Sequence, residues 1–306
     1  TKDGHITSLE VDALSNNGAY ASHGHSIVAK GASSMQLLYK IPNMVYRAKT
    51  VYTNTAAAGA MRGYGIPQVL LAMESQMEKI SHELGIDPIE LRRKNLVEEN
   101  TENPVNHVVF CSNKLDECIV KGKEKFNWDA KKEESKNYKS GDRRRGVGIA
   151  IFAYATGVYP YSREIGGCRL TLNQDGTVKM MIGATEIGQG SDTAFRQMVS
   201  ESTGIPYDHV YADQNTDTDY SPFDTGAYAS RQSYVSGMAV RKASEELKDK
   251  ILKAVQKFHN IDPLHVDVVD GNIVYKHNNK IIESLGDLAL KTYYDLKKAE
   301  CITAEV

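Results

Sequence analysis

Apolar and polar residues alternate from Ile6 to Leu14, the period of a strand with one covered face. A Gly/Ala/Ser-rich stretch, Asn16 to Ser34, follows, and then YKIPNMVYRAKTVYTN, which reads as extended. The period then changes. Val69, Leu70, Met73, Met77 and Ile80 recur at helical spacing, and Pro67 suits the first turn, where its missing N–H costs nothing. Asp87, Pro88 and Glu90 form the capping-box pattern of a second, short helix. The following charged stretch, DAKKEESKNYKSGDRRR, reads as a solvated connector. Beyond Gly146, GCRLTLNQDGTVKMMIG is a hairpin turning through Asn173 to Gly176, and a helix starts after Gly190. A strand and a long polar loop lead to a long helical stretch from Ala227 to Phe258, and DVVDGNIVYKHNNKII is a further hairpin. No regular βαβ rhythm runs through this order. An α+β class is expected, with two subdomains of mixed sheets and helices: residues 1–127, a charged linker 128–145, and residues 146–306.

Asp3-Gly4 is a hairpin turn signal whose first strand would precede Thr1, and AECITAEV stops without a cap. Both ends read as cut from a longer polypeptide, or as those of a subunit that needs a neighbour. The 306 residues carry a formal charge of -2, so no basic field draws the chain to nucleic acid or to an anionic membrane. No apolar run reaches the roughly 18 residues of a membrane span. The four cysteines, Cys111, Cys118, Cys168 and Cys301, form no C-x-x-C pair. Free thiols in a reducing cytoplasm are expected, with no structural zinc or iron–sulfur cluster on this chain.

Three glycine-flanked junctions carry the candidate chemistry. In GATEIGQGSDT, Gly188 and Gly190 allow positive φ, Ser191 and Asp192 can cap the next helix, and free N–H groups there would make an anion site. Gln189 adds a donor and an acceptor. The motif lacks the lysine of a phosphate-cradling P-loop, and a plain strand-to-helix turn accounts for its spacing equally well. In AGAMRGYGIPQ, Arg62 can pair an oxyanion and Tyr64 can stack on a flat ring. In FDTGAYASRQSYVSG, Ser230 and Arg231 open the long helix, where phosphate oxygens could be held. Together the junctions suit one large, anionic, planar ligand. A non-catalytic module that binds a nucleotide or phosphate is an open alternative, as is a structural half of an assembly.

The segments TNTAAAGAMRGYGIPQVLLAMESQMEKISHELGIDPIELRRKN, GATEIGQGSDT and FDTGAYASRQSYVSGMAV resemble, in order, the molybdenum-binding subunit of the xanthine dehydrogenase and aldehyde oxidase family. The resemblance implies a molybdopterin cofactor, or its cytosine dinucleotide form, and hydroxylation of a purine, an N-heterocycle or an aldehyde with oxygen from water. It also implies the remainder of the molybdenum subunit, iron–sulfur and FAD domains or subunits as partners, and a homodimeric parent assembly. Carried over, Arg62, Gly188, Gln189, Gly190, Ala229, Ser230 and Arg231 face the cofactor. Tyr64 replaces a substrate-stacking phenylalanine. Lys30 falls where xanthine-oxidising members carry an arginine, keeping the charge without the bidentate fork. Phe152 to Ser162 aligns poorly with a substrate-channel loop. The family's upstream G-x-F-G-x-K motif and its G-x-G-E general-base segment have no match, and Glu283 and Glu300 lack the glycine setting of that base. The general base is expected outside the chain, and the chain by itself is expected to be inactive.

Overall fold

A parallel pair of strands begins the chain. β1, Ser8–Gly18, and β2, Asn43–Tyr52, pair in register from Ser8 opposite Asn43 to Asn16 opposite Val51. Parallel strands need a crossover, and α1, Gly24–Gln36, supplies it. Within this chain the partner of β1 is β2. Asp3 and Gly4 close a local turn, in which the Gly4 N–H donates to the Thr1 carbonyl at 3.1 Å. The helix was hidden in the Gly/Ala/Ser stretch because its buried face is made of Gly24, Gly31 and Ser34 with Met35.

The structure, a computed structural model, describes residues 1–104, 107–154, 156–158, 163–213 and 217–306. They divide into two units, Thr1–Tyr154 and Ala155–Val306. The first continues with α2, Ile66–Leu84, α3, Pro88–Lys94, α4, Leu115–Phe126, and α5, Trp128–Asn137. Leu70, Met73 and Met77 of α2 are buried, while Val69 and Ile80 pack at the edge of the same core. Asp87 caps α3 by accepting from the Ile89 N–H at 2.9 Å. The other half of the capping box does not form. Glu90 turns to Arg93, 3.3 Å away.

The boundary between the units corrects the expected linker at 128–145. Trp128 and Ile151 both lie in the first core. Glu74, buried in α2, accepts from the Tyr39 hydroxyl at 2.5 Å, from Arg92 Nε at 2.8 Å and from the Ile151 N–H at 3.1 Å. A buried carboxylate needs such partners, and serving them binds residue 151 to the first unit. The charged stretch is mostly exposed, as expected, but its first nine residues are helical, in α5.

The second unit opens with the expected hairpin, β3, Cys168–Leu172, and β4, Val178–Ile182. After β4 come α6, Ser191–Thr203, β5, Val210–Ala212, and α7, Val235–His259. β6, Val266–Val269, β7, Asn272–Tyr275, and β8, Ile281–Ser284, form an antiparallel three-stranded sheet. α8, Leu285–Tyr293, and β9, Thr303–Glu305, follow. The main sheet has the order β5-β4-β3-β9, parallel only at β4–β5, where α6 makes the crossover. Leu170, Val178 and Met180 pack with Phe195 and Val199 of α6 and Val240, Leu247 and Ile251 of α7. Parallel and antiparallel pairs mixed in this way are α+β. Among the described residues no helix is long and apolar enough to cross a membrane.

Candidate functional site

In the second unit, two of the three glycine-flanked junctions meet. β4 ends at Ile182, and the chain then turns through Thr185–Gly190 into α6. Gly188 and Gly190 have φ of 93° and 83°, a region open to glycine at little cost. Gln189 lies between them. Its Nε2 donates to the Thr185 carbonyl at 3.1 Å and hydrogen-bonds Gln232 Oε1, while its Oε1 accepts from the Ile187 N–H at 2.6 Å. Gln232 in turn donates to the Thr185 carbonyl at 3.0 Å. The amide pair therefore joins the G-Q-G loop to the loop that precedes α7.

The expected anion site at the start of α6 is already filled. Glu186 accepts from the Gly188 and Gly190 N–H groups on one oxygen, at 2.7 and 3.0 Å. Its other oxygen accepts from Ser191 Oγ at 3.1 Å and the Asp192 N–H at 3.2 Å. Neither Ser191 nor Asp192 caps the helix, because Gly190 is the capping position and Glu186 supplies the oxygens. The Gly190 N–H, with those of Asp192 and Gly188 and the Ser191 hydroxyl, holds the Glu186 carboxyl down at about 2. Burial, and then the Glu186 charge, raises the neighbouring Asp192 carboxyl.

A depressed carboxylate stabilises the fold above its unfolded value of 4.5, and that contribution goes as pH falls toward about 2. Carbon NMR of the Glu186 carboxyl is expected to show it ionised at about pH 3.5, where an ordinary glutamate is mostly protonated. Protonation near pH 4.5 would show that the four donors do not hold the carboxylate in solution.

Two expectations for the third motif are corrected. α7 begins at Val235, so Ser230 and Arg231 do not open it. Ala229 and Ser230 both take positive φ, 50° and 52°, which breaks any helix there. Ser230 is exposed, but Arg231 is fully buried. Its Nε meets Glu164 at 2.5 Å, and one terminal nitrogen meets Asp224 at 2.6 Å and the Gly226 carbonyl at 2.9 Å. The other terminal nitrogen donates to the Ile165 carbonyl. Burial opposes the charge, but the bonds to Glu164 and Asp224 raise the pKa of Arg231. The guanidinium is engaged inside the chain and is not presented to a phosphate. Nearby, the buried Thr225 Oγ1 has no hydrogen-bond partner.

In the first unit, Arg62 is exposed at the head of the R-G-Y-G turn. The turn is seated on α1, where Gly65 has φ of 84° and an added Cβ would lie 2.1 Å from the Ile27 carbonyl oxygen. Tyr64 sits between two glycines at φ 45°, and its hydroxyl bonds His23 Nδ1 and Ser26 Oγ, each at 2.7 Å. The added hydroxyl is thus bound to α1 and holds the ring. Lys30 lies in α1, half-buried, one helical turn past Ser26. The channel-loop stretch begins in this unit. Burial, with Tyr64 adding to it, raises the Tyr154 phenol, while residues 155 and 159–162 lie outside the described residues. Glu283 is held by His259 and by Lys291 at 2.6 Å, and Glu300 is exposed.

The sequence reading missed Glu186, Gln232, His23 and Ser26. Glu186 had a signal, an acid just ahead of a helix start. The others had none, because their importance comes from contacts 38 to 47 residues away in sequence.

A family described as molybdopterin cofactor-binding domain matches residues 121–304, and a second of the same description matches residues 1–96. The chain is 43% identical over 305 residues to the putative xanthine dehydrogenase molybdenum-binding subunit XdhA of Escherichia coli (strain K12), covering 99% of this chain and 40% of that one. Among solved structures it matches quinoline 2-oxidoreductase from Pseudomonas putida 86 with a TM-score of 0.83 at 19% identity, over 100% of this chain and 41% of that one, a likeness of fold. Aldehyde oxidoreductase from Desulfovibrio gigas matches with a TM-score of 0.75 at 26% identity, over 100% and 30% of the two chains. The chain thus spans well under half the length of each of these relatives.

Proposed function

The chain belongs to the molybdopterin cofactor-binding domain family of xanthine dehydrogenase and aldehyde oxidase relatives, and from that premise we propose that it supplies cofactor and substrate loops to a molybdenum hydroxylase. The observation that carries this reading is the Gln189–Gln232 amide pair, which ties two of the family-like motifs into one polar surface. The residues present fit a pterin. They offer neutral amides, the exposed Ser230 and the unpartnered Thr225 hydroxyl, which suit the edge of a polar ring system. Gln189, Ser230 and the backbone at Ala229 would hold it within the second unit. When bound, the cofactor supplies the metal centre at which an electron-poor carbon is hydroxylated with oxygen from water.

This chain's own part is binding and orientation. Tyr64 presents a ring for a planar substrate, with its plane fixed by His23 and Ser26. Stacking of that kind contributes roughly 0.5–1.5 kcal/mol beyond burial. Lys30, one turn along the same helix, offers a cation to a carbonyl or anionic substituent, and its single ammonium tolerates more shapes than a guanidinium fork. The substrate class is therefore a purine, an N-heterocyclic carboxylate or an aldehyde rather than xanthine alone. The general base lies outside these residues in this proposal, and iron–sulfur and FAD domains or subunits take the electrons.

Metal analysis of the native full-length protein is expected to find molybdenum and a pterin. Their absence would favour a nucleotide- or phosphate-binding module. Steady-state kinetics on purines, pyridine carboxylates and aldehydes should then show KM rising in Lys30→Ala for anionic or carbonyl-bearing substrates, by about tenfold for one lost charged contact. A strong preference for xanthine that Lys30→Ala leaves unchanged would remove Lys30 from the site.

A further inference from the structure

Beside the Gln189–Gln232 amide pair, one carboxylate gathers the backbone of the G-Q-G loop. An added Cβ at Gly188 or Gly190 would meet nothing within 4 Å, so the glycines serve positive φ and not close packing within the chain. What gathers the loop is the carboxylate of Glu186, which takes hydrogen bonds from three backbone N–H groups and one hydroxyl between Gly188 and Asp192. Ser191 joins the two systems, since its Oγ donates to Glu186 and accepts from Gln189 Nε2 at 3.0 Å. Gln189 therefore sits in a loop whose Gly188, Gly190 and Asp192 N–H groups point at Glu186, while the Ile187 N–H donates to Gln189 Oε1.

We propose that Glu186 is the positioning residue of this site: its carboxylate fills the anion cradle at the start of α6, holds Gln189 against Gln232, and leaves the anionic groups of the cofactor to be bound elsewhere. The inference rests on the functional reading above only in placing Gln189 toward a cofactor. The geometry supports it in two ways. A carboxylate with both oxygens satisfied by charge-assisted bonds is costly to displace. Of the charged side chains on the first turns of α6, Asp192 has its carboxyl raised by burial and then by the Glu186 charge, and Arg196 donates to the Val210 and Tyr207 carbonyls at 2.6 and 3.2 Å. Among the described residues, no lysine or arginine is ion-paired with Glu186, whose oxygens are taken by the loop's own donors.

The test uses the full-length protein carrying Glu186→Ala or Glu186→Gln. The first readout is amide hydrogen exchange at Gly188 and Gly190. It is expected to quicken at least about tenfold in the alanine variant, as loss of a charge-assisted acceptor implies, and by less in the glutamine variant, which keeps one oxygen. The second readout is molybdenum and pterin content, expected to fall in Glu186→Ala and to recover in part in Glu186→Gln. A role limited to holding the backbone would quicken exchange in Glu186→Ala while leaving molybdenum and pterin content unchanged. The third is inorganic phosphate binding to cofactor-free protein. If Glu186 is instead a plug that leaves when the cofactor arrives, Glu186→Ala will bind phosphate more tightly and keep its metal content, and the proposal is overturned. Unchanged amide exchange in Glu186→Ala overturns it as well. Because exchange is read without cofactor, it judges Glu186 even if the native protein holds no molybdenum, a result that would count against the functional reading alone.

Discussion

Arg231→Met is expected to destabilise the second unit by about 3–5 kcal/mol, the usual cost of breaking a buried ion pair from one side. The reason is what remains behind. Asp224 has no exposed side-chain surface, and Arg231 is its ion-pair partner. Ser236 Oγ at 2.7 Å and the Gly226 N–H at 2.8 Å would still bond that carboxylate, but neither carries charge. Glu164 and the carbonyls of Gly226 and Ile165 would lose donors at the same time. Arg231→Lys should fall between, since a lysine keeps the charge but cannot reach four acceptors at once. Urea unfolding followed by circular dichroism will decide. A midpoint within error of the parent for Arg231→Met would return the arginine to the list of ligand contacts.

Gln189→Ala should behave in the opposite way, with a large effect on activity and a small one on stability. In the full-length, cofactor-loaded protein kcat is expected to fall on the order of 10²-fold, the scale of losing one preorganised polar contact near a reacting centre. The fold should lose only about 1–2 kcal/mol, because the side chain is exposed and its bonds to the Thr185 carbonyl and to Gln232 are neutral ones. Metal content separates the outcomes. Full turnover with full molybdenum would drop Gln189 as a cofactor contact, whereas a fall in molybdenum equal to the fall in kcat would make it a loading residue only.

Arg231 and Gln189 lie in motifs that look alike in sequence, small residues around one polar side chain, yet one is buried and the other exposed. Arg231 is turned inward because Glu164, 67 residues earlier, and Asp224 converge on it. Nothing in A-S-R announces that, since pairing partners so far apart leave no local pattern. The G-Q-G motif was legible as a strand-to-helix junction with positive φ, because glycine at such a turn has a local cause. That its anion site would be filled by Glu186 required the loop's path. The same division explains α1. A helix whose buried face is glycine and serine with one methionine lacks the apolar period that marks α2, so the sequence assigns the stretch no element.

The sequence alone determined the elements whose cause is local: the amphipathic α2, the Asp87 cap of α3, the hairpin through Asn173 to Gly176, and the α+β class that follows from their mixture. Its motifs, taken in order, also sufficed to identify the cofactor-binding family. Tertiary structure alone decided the partner of β1, the boundary at Tyr154, the burial of Arg231 and the engagement of the Tyr64 hydroxyl. Each of these depends on which distant groups satisfy a buried charge or an open backbone edge. That demand is set by the free energy of leaving a polar group unpaired, and it is met by residues that spacing along the chain does not reveal.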